Sequence, residues 1–381
     1  MKPHYYPLRV LQNRRGWVPR PSFCTYLVCN RCNAQCGMCD SWQMPRGVEL
    51  TPEQVRAVFG KIGSLDIVRL SGGEPFLRSD LLDVAEAVVD ASSPALLHIT
   101  TNGSFPERVL RFAQSFSGPR RLHVMVSFDG MPAVHDANRG RKVSFERALA
   151  TVDALVSQRP RGVEVSVNHT IISGAALRDH AELSALLRER GVDTQWVLAY
   201  AESSMYALPR RGKRAQDLVL AQGYPLHPAL DADESLAFAR AELEHLERIS
   251  NPSLRLAKRY YLQGLVARLA GDSPALPRPK CVALRSHLRL LPDGGVVVCQ
   301  FNTEPVGNLL QQSFDDVWHG APTRGARAWV DACKGCWAEC EVMPNAVYSG
   351  DLLLHALAEA LRSVRREAAS CVAGVARNIA P

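Results

Sequence analysis

The 381-residue chain contains no run approaching the roughly 18 uncharged apolar residues that a membrane-spanning helix needs. Its first residues, MKPHYYPLRVLQNRRGW, lack the apolar core of a secretion signal. Together these absences lead us to expect a cytoplasmic protein with no membrane partner. Internal repeats and low-complexity tracts are missing too, which excludes a solenoid or a flexible linker. No long block of one charge occurs: the net charge of +7 is dispersed over short runs such as Arg14-Arg15, Arg210-Arg211 and Arg365-Arg366. Runs this short read as solvated faces, so no nucleic-acid partner is expected. What remains is a globular chain, 46% hydrophobic, long enough for one large domain and a smaller one.

Eleven cysteines stand out against this background, and eight of them fall in two clusters. With no secretion signal, metal binding explains them better than a disulfide framework. The two cysteines just ahead of the first cluster, Cys24 and Cys29, read as small buried hydrophobes.

From about Phe23 to Glu202, six short apolar runs alternate with amphipathic stretches such as PEQVRAVFGKI and DHAELSALLRERG. The runs are FCTYLVC, DIVRLSGGEP, LLHITTNG, LHVMVSFDG, VEVSVNHTII and TQWVLAYAE. This order predicts successive βα units and a parallel sheet, either doubly wound or an open barrel, with ligands at the carboxyl ends of the strands. Residues 203–280 read as a Pro-interrupted helical insertion, in which Tyr260-Tyr261 are a place to look for substrate selectivity. From Cys281 the pattern turns irregular and cysteine-rich, with one hairpin at Asp293-Gly294-Gly295, and an amphipathic helix closes the chain.

The first cluster is Cys32-Asn-Ala-Gln-Cys36-Gly-Met-Cys39. Three thiolates in one loop suit an iron-sulfur cluster left one ligand short; zinc is the competing reading, and it needs a fourth ligand from elsewhere. Ser71-Gly72-Gly73-Glu74-Pro75 ends the second run, where two glycines allow close backbone approach and Glu74 offers an acceptor for an ammonium. Thr101-Asn102-Gly103 follows the third run, and Ser127-Phe128-Asp129-Gly130, with Arg139 beyond it, follows the fourth. Each of these segments is a turn when taken singly. Asn168 and His169 end the fifth run and Tyr200 and Glu202 the sixth, which makes them candidates for the barrel mouth and for catalysis.

The triplet and its companions resemble the radical S-adenosylmethionine (SAM) enzymes. That resemblance implies an α/β fold built on a partial (β/α)6 barrel, with a helical insertion and a small cysteine-rich auxiliary-cluster domain. The domains would run 1–202, 203–280 and 281–345, with a terminal helix at 346–381. It also implies a 4Fe-4S cluster on Cys32, Cys36 and Cys39, whose open iron is chelated by SAM. Gly72, Gly73 and Glu74 would hold the SAM amino group, Ser127 the ribose and Arg139 the carboxylate, with Asn102 and Asp129 in the same segments. In the family an aromatic residue usually precedes the third cysteine; here Met38 stands there, and its thioether can fill similar space.

The second cluster, Cys281, Cys299, Cys333, Cys336 and Cys340, is set out as C-x12-G-x4-C, then Gly307-Asn308-Leu309, then Phe314 and Trp318, then C-x2-C-x3-C. This resembles the SPASM and twitch auxiliary domains. The full pattern carries seven cysteines and usually two clusters, so five here, or six with Cys371, favour one auxiliary 4Fe-4S cluster. Cys281 and Cys299 are assigned to it, with the remaining ligands drawn from Cys333, Cys336 and Cys340; an all-cysteine zinc site is the alternative.

The resemblance further implies reductive cleavage of SAM to a 5′-deoxyadenosyl radical, hydrogen abstraction from a substrate in the barrel, and a net oxidation. An electron donor such as flavodoxin or ferredoxin would be needed. Only some 30 residues precede Cys32, which favours a small natural-product or sugar-like molecule over a ribosomal peptide as substrate. The peptide maturase and a non-catalytic iron-sulfur or zinc protein are the alternatives.

Overall fold

The computed structural model describes residues 6–116, 121–201, 224–249, 251–272 and 274–362. After a short helix α1 (Tyr6–Arg14), strands and helices alternate: β1 (Phe23–Cys29), α2 (Pro52–Ile62), β2 (Ile67–Gly72), α3 (Leu81–Ser92), β3 (Leu96–Thr101), α4 (Pro106–Ser115), β4 (Arg121–Phe128), α5 (Pro132–Arg139), α6 (Ser144–Gln158), β5 (Val163–Ile171), α7 (Gly174–Glu189) and β6 (Asp193–Leu198). All six expected strands are present, paired in parallel in sequence order. They form the partial (β/α)6 barrel.

Local chemistry sets the boundaries. Thr51 and Gln54 make a reciprocal capping box at the start of α2, with Pro52 at its first position. Along β4 exposure alternates strictly, and Leu122, Val124, Val126 and Phe128 join the helix-side core. That core holds the even-numbered residues of β1, β2 and β4, such as Tyr26 and Leu70, together with Val55, Phe59, Val84 and Val88 of α2 and α3. The opposite set of strand residues therefore faces the concave side of the sheet.

Beyond β6 come α8 (Ala232–Glu244) and α9 (Pro252–Leu269), then β7 (His287–Leu290), β8 (Gly295–Val297), β9 (Pro305–Asn308), α10 (Phe314–His319), α11 (Ala321–Ala332) and α12 (Glu339–Tyr348). The expected hairpin is β7–β8, yet it does not stand apart. β7 pairs in parallel with β1, so one nine-stranded sheet runs in the order β6-β5-β4-β3-β2-β1-β7-β8-β9. The cysteine-rich segment thus extends the barrel sheet along its first edge.

Tyr260 and Tyr261 are core residues, 0% and 1% exposed, stacked against Trp337. Their burial removes them from the role of substrate-selecting residues. Gly264 opposes the same ring so closely that a Cβ there would lie 2.0 Å from Trp337 Cζ2. Residues 351–362 are helical, in line with the expected closing helix, whereas Cys371 lies outside the described residues. Among the described residues no helix is long and apolar enough to cross a membrane.

Candidate active site and auxiliary centre

Cys32, Cys36 and Cys39 lie in the irregular loop after β1 and line a small cavity of about 170 Å³ at the carboxyl end of the sheet. Two neighbours pin this loop. Gly73 N–H donates to Cys29 O at 2.8 Å and Glu74 N–H to Arg31 O at 2.7 Å, which continues the β1–β2 pairing past the strands. From the other side, Gln35 N–H donates to Arg139 O at 2.9 Å and Gly37 N–H to Asn138 Oδ1 at 3.2 Å.

The two glycines are needed for this backbone contact. A Cβ on Gly72 would lie 2.3 Å from Cys29 O and one on Gly73 2.0 Å from Arg31 O, and Gly72 has φ +133°. Sequence reasoning had them make room for a ligand; both do line the cavity, but the nearest atoms belong to the cysteine loop itself.

Glu74 departs from its expected role. Its carboxylate is fully buried and accepts from Phe76 N–H at 3.1 Å, Thr101 Oγ1 at 2.8 Å and Asn102 N–H at 2.7 Å. Burial pushes its pKa up, against the pull of these donors. The side chain ties the loop after β2 to the loop after β3, and the adjacent residues Ser71, Gly72 and Gly73 present themselves to the cavity.

Asp129 is likewise fully buried, accepting from Arg139 Nη2 at 2.7 Å and Asn138 Nδ2 at 2.7 Å. Arg139 lines the cavity but commits its guanidinium to Asp129. Burial alone would lower the arginine pKa; Asp129, with Cys36 and Cys32 nearby, reverses this and raises it. Asn102 lines the cavity and donates to Asn33 Oδ1 at 2.8 Å, and Ser127 and Met38 line it too.

Ser71, Thr100 and Thr170 were missed by sequence reasoning. With Ser127 they supply a hydroxyl from each of four successive strands at its carboxyl end. The signal was available: each stands at an inward position of an alternating strand.

The catalytic candidates separate. Asn168 faces the concave side and bonds Thr170 Oγ1 at 3.1 Å. His169 does not reach the mouth, because it shares the parity of Val165 and Val167 and points outward. There it stacks on His180 of α7, ring centroids 5.2 Å apart, with Nδ1 to Nδ1 at 3.0 Å. Tyr200 is stacked on Tyr224 at 4.9 Å and meets Phe301 edge-on at 5.6 Å. Glu202 lies outside the described residues.

The second cluster converges on a larger cavity of about 410 Å³, lined by Cys281 and Cys299 from the two ends of the β7–β8 hairpin and by Cys333 and Cys336 after α11. Burial pushes the Cys281 thiol up to about 12 and raises those of Cys299 and Cys336 as well. Such thiols become metal ligands only with loss of their protons. Among the described residues no three His, Cys, Asp or Glu side chains close on a single ion. All four cysteines line this one cavity, and four thiols are a donor set whose chemistry fits an iron-sulfur cluster.

Cys340 does not line this cavity. It sits in the first turn of α12, where its Sγ donates to Gln300 Oε1 at 2.9 Å. The next residue, Glu341, does line it, and its carboxylate is clamped by Arg289 and by His287 at 3.3 Å. Burial by itself would raise the Glu341 pKa; Arg289 and His287 bring it down to about 2.

Comparison with known proteins agrees with these two centres. Residues 26–187 match the Radical SAM superfamily, and residues 281–337 match an iron-sulfur cluster-binding domain, SPASM. A pre-heme d1 synthase of Dinoroseobacter shibae is 32% identical over 339 residues, covering 80% of this chain and 74% of that one. An AdoMet-dependent heme synthase of Methanosarcina barkeri is 33% identical over 322 residues, covering 81% and 85%. Among solved structures, Streptococcus suis SuiB bound to S-adenosylmethionine shares the fold at a TM-score of 0.61 and 12% identity, covering 86% of this chain and 75% of that one. The chain belongs to the radical SAM superfamily, and its cofactors are SAM, the SAM-binding 4Fe-4S cluster and the iron-sulfur centre of a C-terminal SPASM domain.

Proposed function

We propose that this radical SAM enzyme abstracts a hydrogen atom from a small molecule held on the concave face of its partial barrel, in a net oxidation. When bound, the cluster and SAM supply reductive cleavage of the sulfur to 5′-carbon bond and a primary radical at that carbon. Cys32, Cys36 and Cys39 would hold the cluster; three thiolates for four irons leave one iron for SAM. The strand-end hydroxyls Ser71, Thr100, Ser127 and Thr170, with Asn102, offer hydrogen bonds around the ligand. Asp129 and Arg139 hold the cysteine loop against them. Cys281, Cys299, Cys333 and Cys336 would hold one auxiliary cluster, suited to take the electron left on the substrate. A low-potential donor such as flavodoxin or ferredoxin completes the electron supply.

The observation that carries this reading is the single cavity shared by the three cysteines, the two glycines and the strand-end hydroxyls. A small-molecule substrate is favoured by the two long relatives, whose names concern hemes. The likeness to SuiB, also known with its precursor peptide SuiA, carries the fold alone. The test is anaerobic reconstitution with iron and sulfide, then dithionite and SAM. About eight irons per chain are expected, four for each cluster, together with 5′-deoxyadenosine. Zinc in place of iron with SAM left intact would refute it.

A further inference from the structure

One register of the sheet carries polar side chains across five adjacent strands. Backbone pairing sets Arg289 of β7 beside Thr25 of β1, Thr25 beside Arg69 of β2, Arg69 beside His98 of β3, and His98 beside His123 of β4. Their chain neighbours, such as Tyr26, Val68, Leu70 and Ile99, belong to the helix-side core, so alternation turns this row to the concave face. Ser71 and Thr100 of the cysteine cavity lie two residues further along their strands, about 6.6 Å away at 3.3 Å per residue.

The charges along this row are satisfied with one exception. Arg289 is paired with Glu341. His98 and His123 bond each other at 3.0 Å, and their outer nitrogens meet Thr100 Oγ1 at 3.0 Å and Ser166 Oγ at 2.7 Å. Burial lowers the pKa of both imidazoles and keeps them neutral. The other nearby carboxylate, Glu339, is taken by Lys258 at 2.9 Å.

Arg69 has no carboxylate partner among the described residues. The one hydrogen bond it makes there is to the Cys340 carbonyl at 3.4 Å, and its guanidinium lies 5.1 Å from the centre of the Phe23 ring. Burial lowers its pKa and Arg289 adds to this, while Cys340, Glu341 and Glu339 nearby act in the opposite direction without reversing it. Arg69 is half-buried, and with no carboxylate of its own to pair with among the described residues its guanidinium is left to be matched by a bound anion.

We propose that Arg69 is the receptor for an anionic group of the substrate, a carboxylate or a phosphate, held on the concave face one register below the cysteine cavity. This rests on the reading that the concave face is the reaction chamber. The planar guanidinium can grip either group with two parallel N–H donors, which fixes direction as well as position. The rest of the substrate then extends toward Ser71 and Thr100, where hydrogen abstraction would take place.

The test uses the reconstituted enzyme, titrated calorimetrically with succinate and with inorganic phosphate at an ionic strength held constant with potassium chloride. At least one probe should bind saturably, at least tenfold more weakly to Arg69→Gln, with partial recovery in Arg69→Lys; which probe binds separates carboxylate from phosphate. Iron content and circular dichroism establish that each variant is folded, and Arg69→Met replaces Arg69→Gln if the latter is not. Saturable binding of neither probe, or equal affinity with and without the guanidinium, overturns the proposal. SAM cleavage by the wild type is scored separately. Intact SAM beside guanidinium-dependent anion binding would refute the radical reading alone, whereas cleaved SAM with anion binding indifferent to Arg69 would refute the receptor alone.

Discussion

The Asn102 backbone N–H donates to Glu74 Oε2 at 2.7 Å, and this bond joins the loops after β2 and β3 beneath the cysteine cavity. Glu74 Oε1 accepts two further donors, and the side chain is fully buried. In Glu74→Gln one of those oxygens becomes an NH2, so a buried donor faces a donor. We expect a loss of about 1–3 kcal/mol in folding stability, with SAM binding and cluster retention falling together. Thermal unfolding and iron content check this; weaker SAM binding with unchanged stability and iron would show a direct role toward the ligand.

The two glycines of the same segment carry a steric prediction. Gly73→Ala would set a Cβ 2.0 Å from Arg31 O, so the cysteine loop must move away from β2. A destabilisation of roughly 2 kcal/mol or more is expected, with loss of the iron assigned to the first cluster. Gly60→Ala, where nothing lies within 4 Å of the added carbon, is the control and should stay near wild type. Chemical denaturation midpoints of the two variants decide the matter.

Cys340 separates from its neighbours in the second cluster because its thiol is turned to Gln300 rather than to the auxiliary cavity. Cys340→Ser should therefore keep its full iron content. Cys333→Ser and Cys336→Ser should each lose about four irons. A loss of auxiliary iron in Cys340→Ser would contradict the assignment.

The outward-facing pair His169 and His180 predicts acid sensitivity. Burial holds their pKa values down to about 3 and about 4 in the folded chain, against roughly 6.5 when unfolded. Between those limits the unfolded chain binds more protons, so stability falls as pH drops below about 6.5 and is indifferent above it. At pH 5 each histidine would cost on the order of 2 kcal/mol. Denaturation midpoints from pH 8 to 5 should show this slope, and it should flatten in a variant carrying both His169→Asn and His180→Asn. An unchanged slope would mean other groups govern the acid limb.

Local pattern was enough for the six parallel strands, the cysteine triplet and the Gly-Gly-Glu segment, because strand alternation and ligand spacing are written over a few residues. The outward orientation of His169 was legible too, from its parity with Val165 and Val167. The pairing of β7 with β1 was not legible, since residues more than 250 positions apart meet there, as Phe23 does His287. Nor was the withdrawal of Cys340, which depends on how α12 seats its first turn against Gln300. The commitments of Glu74 and Asp129 were hidden for the same reason: a carboxylate's partner is decided by which loops fold over it. The unpaired state of Arg69 is of this kind as well. Its place on β2 follows from alternation, but that Glu341 and Glu339 are taken by Arg289 and Lys258, leaving no carboxylate paired with Arg69 among the described residues, is decided only when the sheet closes around it.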